Sequence, residues 1–394
     1  MSNKILICVS NTGGGHHSAA NALKAAIEEL TAKQHAANPY QVVIADVIEH
    51  TNPIHTFFVF LYNFLLRHKQ SWMKYYIALI ERFKPDNSAI GYWLASGVVK
   101  RLLVKTDPAI VVSVHPMTNH YLARAMQAVN LTHKPDLMVV VVDPNANLWT
   151  GWACKGAALT VAPNILAQER LVQLGVDVNK IVTIGMPVDP RFLHAPTQSR
   201  ESLLTELGLS PDLLTICLTA GWAGGGSIAK IYQALGDVRK AIQVLVVCGN
   251  NEELFEEIQL LSTQMPFATK VLPELPSLSD AMSACDLLVT KAGGLTTFEA
   301  VARRLPMAID QLTEPMPQEA GTAEMLIETD LAKPINHPYD IVAIVETLEH
   351  QVNRESLPLP TKYNLNRTEA VYEIAEIILS MCQKNTQTKM LMEA

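Results

Sequence analysis

None of the six cysteines in the 394-residue chain (Cys8, Cys154, Cys217, Cys248, Cys285 and Cys382) stands in a C-x-x-C pair. That argues against a zinc site or a disulfide framework and fits a reducing compartment. Charge is scarce at 18% and aromatics at 6%, whereas 49% of the residues are hydrophobic. A disordered chain is excluded, because ample apolar material is available to bury. Long apolar runs are missing too: none reaches the ~20 residues of a membrane-spanning helix. The opening run Ile5–Ser10 is too short for a secretory leader, so neither a leader nor a span is expected. Also absent are the G-x-G-x-x-G of a dinucleotide site and the Gly-Lys-Ser/Thr of a P-loop. Length points to two or three domains of ~150 residues.

What is present is an alternation. Short runs of Val, Ile and Leu, such as Lys4–Asn11, Gln41–Asp46, Ala109–His115 and Leu137–Asp143, are separated by helical patterns such as Ser18–Leu30 and Thr118–Val129. A second series begins at Leu214–Ala220 and continues through Gln243–Cys248, Ala268–Leu272, Leu287–Thr290 and Met307–Ile309. Apolar runs without alternation, each followed by a helix, predict strands buried on both faces of a parallel sheet. Two such series predict two doubly wound α/β domains. The break lies in the proline-bearing stretch Gly185–Asp212. The expected domains are 1–193 and 194–365, followed by a helix over 366–384 and a frayed tail over 385–394.

Charge is unevenly spread. Residues 1–194 hold 17 Lys/Arg against 12 Asp/Glu, and residues 195–394 hold 14 against 26. Within 67–105 stand eight cations (Arg67, Lys69, Lys74, Arg82, Lys84, Lys100, Arg101 and Lys105) against Glu81 and Asp86. Just before them runs the aromatic stretch Ile54–Leu66. Basic residues beside exposed aromatics suit an anionic membrane surface; a buried helix followed by a solvated one is the plainer reading. The acidic second half makes a nucleic-acid partner unexpected.

Four motifs carry the chemistry. Ser10–His17 follows the first strand and opens a helix; Gly13, Gly14 and Gly15 allow close backbone approach, and His16 is placed to act as a general base. Asp143 ends a very apolar strand, where it can orient His16 or hold an acceptor hydroxyl, with Trp149 as a stacking face. An Asx turn before Pro144 explains Asp143 nearly as well. His115, at the end of its own strand, repeats the pattern. Gly221, Gly224 and Gly225 make a second glycine-rich turn suited to phosphate. In Thr290–Ala300, Gly293 and Gly294 turn the chain, and Thr296 and Thr297 can cap the next helix. Glu299 is expected in that helix's first turn, where it can take a ribose diol or only balance the helix dipole. Gln318 and Glu319 offer hydrogen bonds to sugar hydroxyls, or serve as ordinary caps.

These residues resemble the monogalactosyldiacylglycerol synthase and processive diacylglycerol glucosyltransferase family, within glycosyltransferase family 28 and related to the peptidoglycan lipid-linked GlcNAc transferase. Ser10–His16 resembles its S-x-T-G-G-G-H signature. Val112–His120, Val142–Trp149, Ile184–Phe192 and Cys285–Pro306 resemble its later segments in order. The resemblance implies a GT-B architecture, two Rossmann-like domains facing a central cleft. It implies inversion at the anomeric carbon, UDP as leaving group, and neither metal nor other cofactor. His16 would contact the sugar or act as base, with Asp143, His115 and Trp149 on the acceptor side. Gly14, Gly15, Lys291, Gly293, Gly294, Thr296 and Glu299 would serve the donor, and Gln318 and Glu319 its hexose. Pro317, Thr322 and Val142 depart from the family's Gly, Asn and Thr.

The expected activity is transfer of galactose or glucose from a UDP-sugar to a lipid hydroxyl, diacylglycerol foremost, by a protein peripheral to the cytoplasmic face of an anionic membrane. The alternatives are a transferase using UDP-GlcNAc on another lipid-linked or soluble acceptor, a UDP-sugar 2-epimerase, and a silent nucleotide-sugar-binding protein.

Overall fold

In a computed structural model, residues 3–33, 40–131, 133–219, 221–222, 224–273, 278–350, 354 and 358–393 are described. Side chains are described for these residues except 68, 70 and 384–393. Ala220, Leu357 and Ala394, each within an expectation above, lie outside the described residues.

The chain divides into two compact units. The first comprises residues 1–63, 74–190 and 367–394, and the second 64–73 and 191–366. The first contains strands β1 (Lys4–Val9), β2 (Gln41–Asp46), β3 (Ile110–Ser113), β4 (Asp136–Val140), β5 (Leu159–Ala162) and β6 (Ile181–Thr183). They form one parallel sheet in the order β2-β1-β3-β4-β5-β6. Its helices are α1 (Gly15–Lys33), most of α2 (Pro53–His68), α3 (Met73–Phe83), α4 (Ala89–Thr106), α5 (Asn119–Ala128) and α6 (Ile165–Gln173).

The second unit repeats the scheme with β7 (Leu214–Thr219), β8 (Ile242–Val247), β9 (Ala268–Leu272), β10 (Leu287–Thr290), β11 (Met307–Asp310) and β12 (Ala332–Ile335), ordered β12-β11-β10-β7-β8-β9. Its helices are α7 (Arg200–Glu206), α8 (Ile228–Ala234), α9 (Glu252–Ser262), α10 (Ser279–Ala284), α11 (Gly294–Ala302), α12 (Pro317–Glu328) and α13 (Asp340–Thr347). The last helix, α14 (Ala370–Glu393), packs on α1 in the first unit. Both sheets are α/β and doubly wound.

The central strands are apolar because helices cover both faces: every residue of β3, β7, β8, β10 and β11 is buried. β12 escapes the sequence pattern because it is a short edge strand carrying Pro334, where proline is tolerated and hydrophobicity is diluted. The chain after residue 190 is held in the second unit by Arg303, whose guanidinium donates to the carbonyls of Arg191 (2.6 Å) and His194 (2.7 Å). It rejoins the first unit through α14, where Tyr372 Oη donates to Glu29 Oε2 at 2.7 Å. α14 runs from Ala370 to Glu393.

Each sheet has one point where the strand order reverses, between β1 and β3 in the first and between β7 and β10 in the second. Ligands of open α/β sheets bind beyond the carboxyl ends of strands at such points. Ser10–His16 and His115 follow β1 and β3; the 221–227 turn and Lys291–Gly294 follow β7 and β10. The topology thus gathers the glycine-rich motifs at the two switch points.

Segment 53–106 is not a plain buried helix. In α2, Val59, Leu65 and Leu66 are buried, whereas Phe57, Phe60 and Phe64 are exposed at i, i+3 and i+7 spacing. Tyr75, Phe83, Ile90 and Trp93 of the first unit are also exposed, Trp93 at 74%. Isolated exposed apolar residues need no explanation, but a series of aromatics does. Among the described residues no helix is long and apolar enough to cross a membrane.

Candidate active site

In the first unit, His16 lies in the first turn of α1, directly after the glycines. Its Nδ1 donates to the Val114 carbonyl at 2.8 Å, which fixes the tautomer and leaves Nε2 as a lone pair. Burial lowers its pKa to about 4, the Val114 bond opposing and His17 adding to the fall. At neutral pH the ring is therefore an uncharged acceptor of protons.

His115, buried at the end of β3, packs edge-on against His16 with ring centroids 4.3 Å apart. Its Nδ1 accepts from the Met117 backbone N–H at 3.2 Å, so Nε2 carries the proton and donates to Thr12 Oγ1 at 2.6 Å. Burial and the neighbouring histidines hold His115 well below the usual imidazole range. It is a brace for the glycine turn rather than a second base.

Asp143 sits just beyond β4. It does not orient His16: that task belongs to the Val114 carbonyl, and Asp143 Oδ2 instead accepts from Trp152 Nε1 at 2.7 Å. Burial pushes the Asp143 carboxyl up to about 6, with the indole bond resisting. Trp152 is fully buried, with its ring 6.1 Å from that of His16. The sequence offered Trp149 for this neighbourhood. Trp149 is half-buried, and its indole nitrogen is enclosed without a hydrogen-bond partner. The three-residue turn Thr150–Trp152 rotates the chain so that the second tryptophan faces the histidines.

Two further residues hold the turn and have no motif to announce them. Glu49, after β2, accepts from Ser10 Oγ at 2.7 Å and from the Asn11 backbone N–H. Asn63, on α2, donates to the Asn11 carbonyl at 2.8 Å and accepts from the Gly13 N–H at 3.4 Å. A polar residue at the end of a strand is the only sequence signal for Glu49; Asn63 has none.

In the second unit, α11 starts at Gly294 with Gly293 as its N-cap, and no side chain caps it. Its first N–H groups are therefore presented to whatever anion binds there. Thr297 does not cap the helix; its hydroxyl donates back to the Gly293 carbonyl at 2.9 Å. Thr296 is half-buried one residue earlier and makes no cap. With the start at Gly294, Glu299 falls in the second turn rather than the first and is buried. Simple dipole compensation by a first-turn acid is thereby removed as its explanation.

The 221–227 turn is built differently. Gly221 and Gly224 have φ of +69° and +66°. A Cβ on Gly224 would lie 2.2 Å from Asn251 Cβ, so that glycine answers a packing need. The Ser227 N–H is taken by Asp310 Oδ2 at 2.7 Å. A Cβ on Gly226 would lie 3.0 Å from that carboxylate and 3.4 Å from Lys291 Cδ, which shows how closely turn, acid and lysine adjoin. Gly225 is buried within the turn. On α12, Gln318 is half-buried, and Glu319 accepts from the Met316 backbone N–H at 3.3 Å, as an N-terminal cap does.

The family model for monogalactosyldiacylglycerol (MGDG) synthase matches residues 16–188. Over these residues the chain is similar to the monogalactosyldiacylglycerol synthase family. A probable chloroplastic monogalactosyldiacylglycerol synthase of soybean is 31% identical over 352 residues, 87% of this chain. The chain spans only 64% of that relative's length. MurG of Acinetobacter baumannii superposes with a TM-score of 0.54 at 13% identity, covering 97% of this chain and 99% of its own. A putative UDP-N-acetylglucosamine 2-epimerase of Listeria monocytogenes superposes with a TM-score of 0.57 at 13% identity over 98% of each chain. At such identity these structures share the fold alone, and that fold is GT-B.

Proposed function

We propose that the protein is an inverting glycosyltransferase that moves galactose or glucose from a UDP-sugar to a lipid hydroxyl, diacylglycerol foremost. The observation that carries the reading is the His16 ring. It is neutral, fixed through Nδ1, and presents a lone pair on Nε2 at the carboxyl end of β1. Nε2 takes the proton of the acceptor hydroxyl as its oxygen attacks the anomeric carbon. The bond from that carbon to the diphosphate oxygen breaks, and UDP leaves with the electron pair. The uncapped start of α11 and the ammonium of Lys291 meet the developing charge, which is why no metal is invoked. Gly293 and Gly294 let the diphosphate approach, Glu299 takes the ribose diol, and Gln318 and Glu319 face the hexose. Asp143, which holds the Trp152 indole beside His16, serves the acceptor side.

The lipid acceptor is supported by the exposed aromatics of α2, α3 and α4 and by the cations scattered among them, Lys74, Arg82, Lys84, Arg101 and Lys105. A face of this composition suits the surface of an anionic bilayer. Six free, buried cysteines fit a cytoplasmic setting. Fold alone does not separate a transferase from an epimerase, but an epimerase has no use for an aromatic face.

The test is product analysis with UDP-galactose, UDP-glucose or UDP-GlcNAc and diacylglycerol in anionic vesicles, with and without EDTA. A β-linked hexosyl lipid, formed in EDTA as well, is the expected product. An epimerised UDP-sugar with no lipid product would replace the reading. Vesicle flotation is expected to weaken, without vanishing, as salt shortens the Debye length from ~10 Å at 0.1 M to ~3 Å at 1 M.

A further inference from the structure

Glu81 is one of two acids among the eight cations of 67–105, and no step of the proposed reaction uses it. It stands half-buried near the end of α3, and its carboxyl takes both hydrogen-bonding groups of Thr150. The Thr150 N–H donates to Oε1 at 3.0 Å and the hydroxyl to Oε2 at 2.9 Å. Thr150 opens the short helical turn that ends in Trp152, and the residue before it, Trp149, makes no side-chain cap. The first N–H of such a turn has no partner within it. Glu81 supplies that partner from 69 positions away. The second and third residues of the turn are held from other sides. Asn119 Nδ2, at the start of α5, donates to the Gly151 carbonyl at 2.9 Å. Asp143 accepts from the Trp152 indole, whose ring lies 6.1 Å from that of His16. A Cβ on Gly151 would lie 2.9 Å from the Pro116 carbonyl oxygen, so the turn is seated closely. All these residues belong to the first unit. The bonds at Gly151 and Trp152 are single points that define an axis about which the turn can pivot; the two-point grip on Thr150 removes that freedom.

We infer that Glu81 is a positioning residue, holding the Thr150–Trp152 turn so that the Trp152 indole stays on Asp143 and its ring beside His16. The inference rests on the proposed role of His16 as the base. Trp152 is fully buried, so a small rotation of its turn displaces the ring that borders His16. A misplacement of ~1 Å that begins far from the chemistry can cost up to about a hundredfold in rate. The same rotation acts on Asp143, because the indole bond is what opposes the upward push of burial on that carboxyl.

The experiment compares the full-length wild type with Glu81→Ala, Glu81→Gln and Thr150→Val. Glutamine keeps both bonds, since its carbonyl accepts from the Thr150 N–H and the threonine hydroxyl accepts from its amide. The first readout needs no turnover: the Trp152 indole N–H resonance, identified by its loss in Trp152→Phe, is followed by NMR across pH. In the wild type it should shift with a midpoint of about 6 as Asp143 titrates. In Glu81→Ala the midpoint should rise and the pH-dependent shift shrink. Thr150→Val should move both in the same direction by less, and Glu81→Gln should match the wild type. The second readout is hexosyl transfer from UDP-galactose or UDP-glucose to diacylglycerol. There Glu81→Ala should lower kcat about tenfold with KM for the UDP-sugar unchanged, and Glu81→Gln should restore it. A role in stability alone would lower Tm and leave the indole titration and kcat as they are. A wild-type indole titration in Glu81→Ala overturns the inference, as does unchanged kcat or a Glu81→Gln that behaves like Glu81→Ala. Should Glu81→Ala fail to fold, Thr150→Val decides by the same two readouts. If the indole responds as expected but the wild type forms no hexosyl lipid, the hold on Trp152 stands and the proposed reaction falls.

Discussion

The first unit has one glycine-rich turn at its switch point and the second unit has two, and the three are completed in different ways. Ser10–His16 ends in a histidine and is gripped by side chains from β2, β3 and α2. The 221–227 turn is closed by the protein's own acid, since Asp310 occupies the Ser227 N–H. The start of α11 is left without any side-chain cap. Glycines at a strand-to-helix turn therefore record that backbone N–H groups are accessible, not what fills them. One turn runs into a histidine, in another Asp310 takes the Ser227 N–H, and the third starts a helix that no side chain caps.

The largest effect expected is on the turn that delivers the base. His16→Ala should lower kcat about a hundredfold or more, the scale of general acid–base catalysis, with UDP affinity by calorimetry unchanged. Wild-type turnover in that variant would make the first turn a binding loop like the others.

For the open turn of the second unit, Glu299→Ala should weaken UDP binding by about 1–3 kcal/mol, as expected for a lost buried hydrogen-bond partner. Unchanged affinity in a folded variant would remove Glu299 from the donor site.

A pH profile tests the chemistry of the first unit. His16 stays neutral down to about pH 4 and Asp143 is ionised only above about 6. Activity should therefore fall as pH drops through about 6, and Asp143→Asn should lose that limb while lowering the plateau. A limb at about 4 in the wild type would assign the loss to His16 protonation instead. Stability carries the opposite sign for the two groups. The raised Asp143 pKa favours the folded state below about 6 and disfavours it as pH rises through that value. The lowered His16 pKa disfavours the folded state as pH falls from 6.5 toward 4.

The smallest effect sharpens the contrast within the second unit. Asp310→Ala should cost about 1 kcal/mol of stability in urea, the usual size of a lost helix cap, and leave UDP affinity unchanged. A drop in UDP affinity would show that the 221–227 turn is part of the donor site after all.

Much of this was written along the chain. Buried parallel strands must be runs of Val, Ile and Leu, so both β/α series, and with them the places of Ser10–His16, 221–227 and 290–294, follow from local pattern. His16 stood out by position, directly after three glycines at the carboxyl end of a strand, with a capping histidine as the alternative. What the sequence could not settle are contacts made across the fold. Asp310 caps Ser227 from 83 residues away and Asn63 grips Asn11 from 52, and no periodicity encodes such pairs. The placing of Trp152 beside His16 turned on one short helical turn, and the second-turn place of Glu299 on where α11 begins. Strand and helix identity rest on interactions within a few residues, whereas the partner of a polar side chain is fixed only once crossovers set strand order and register.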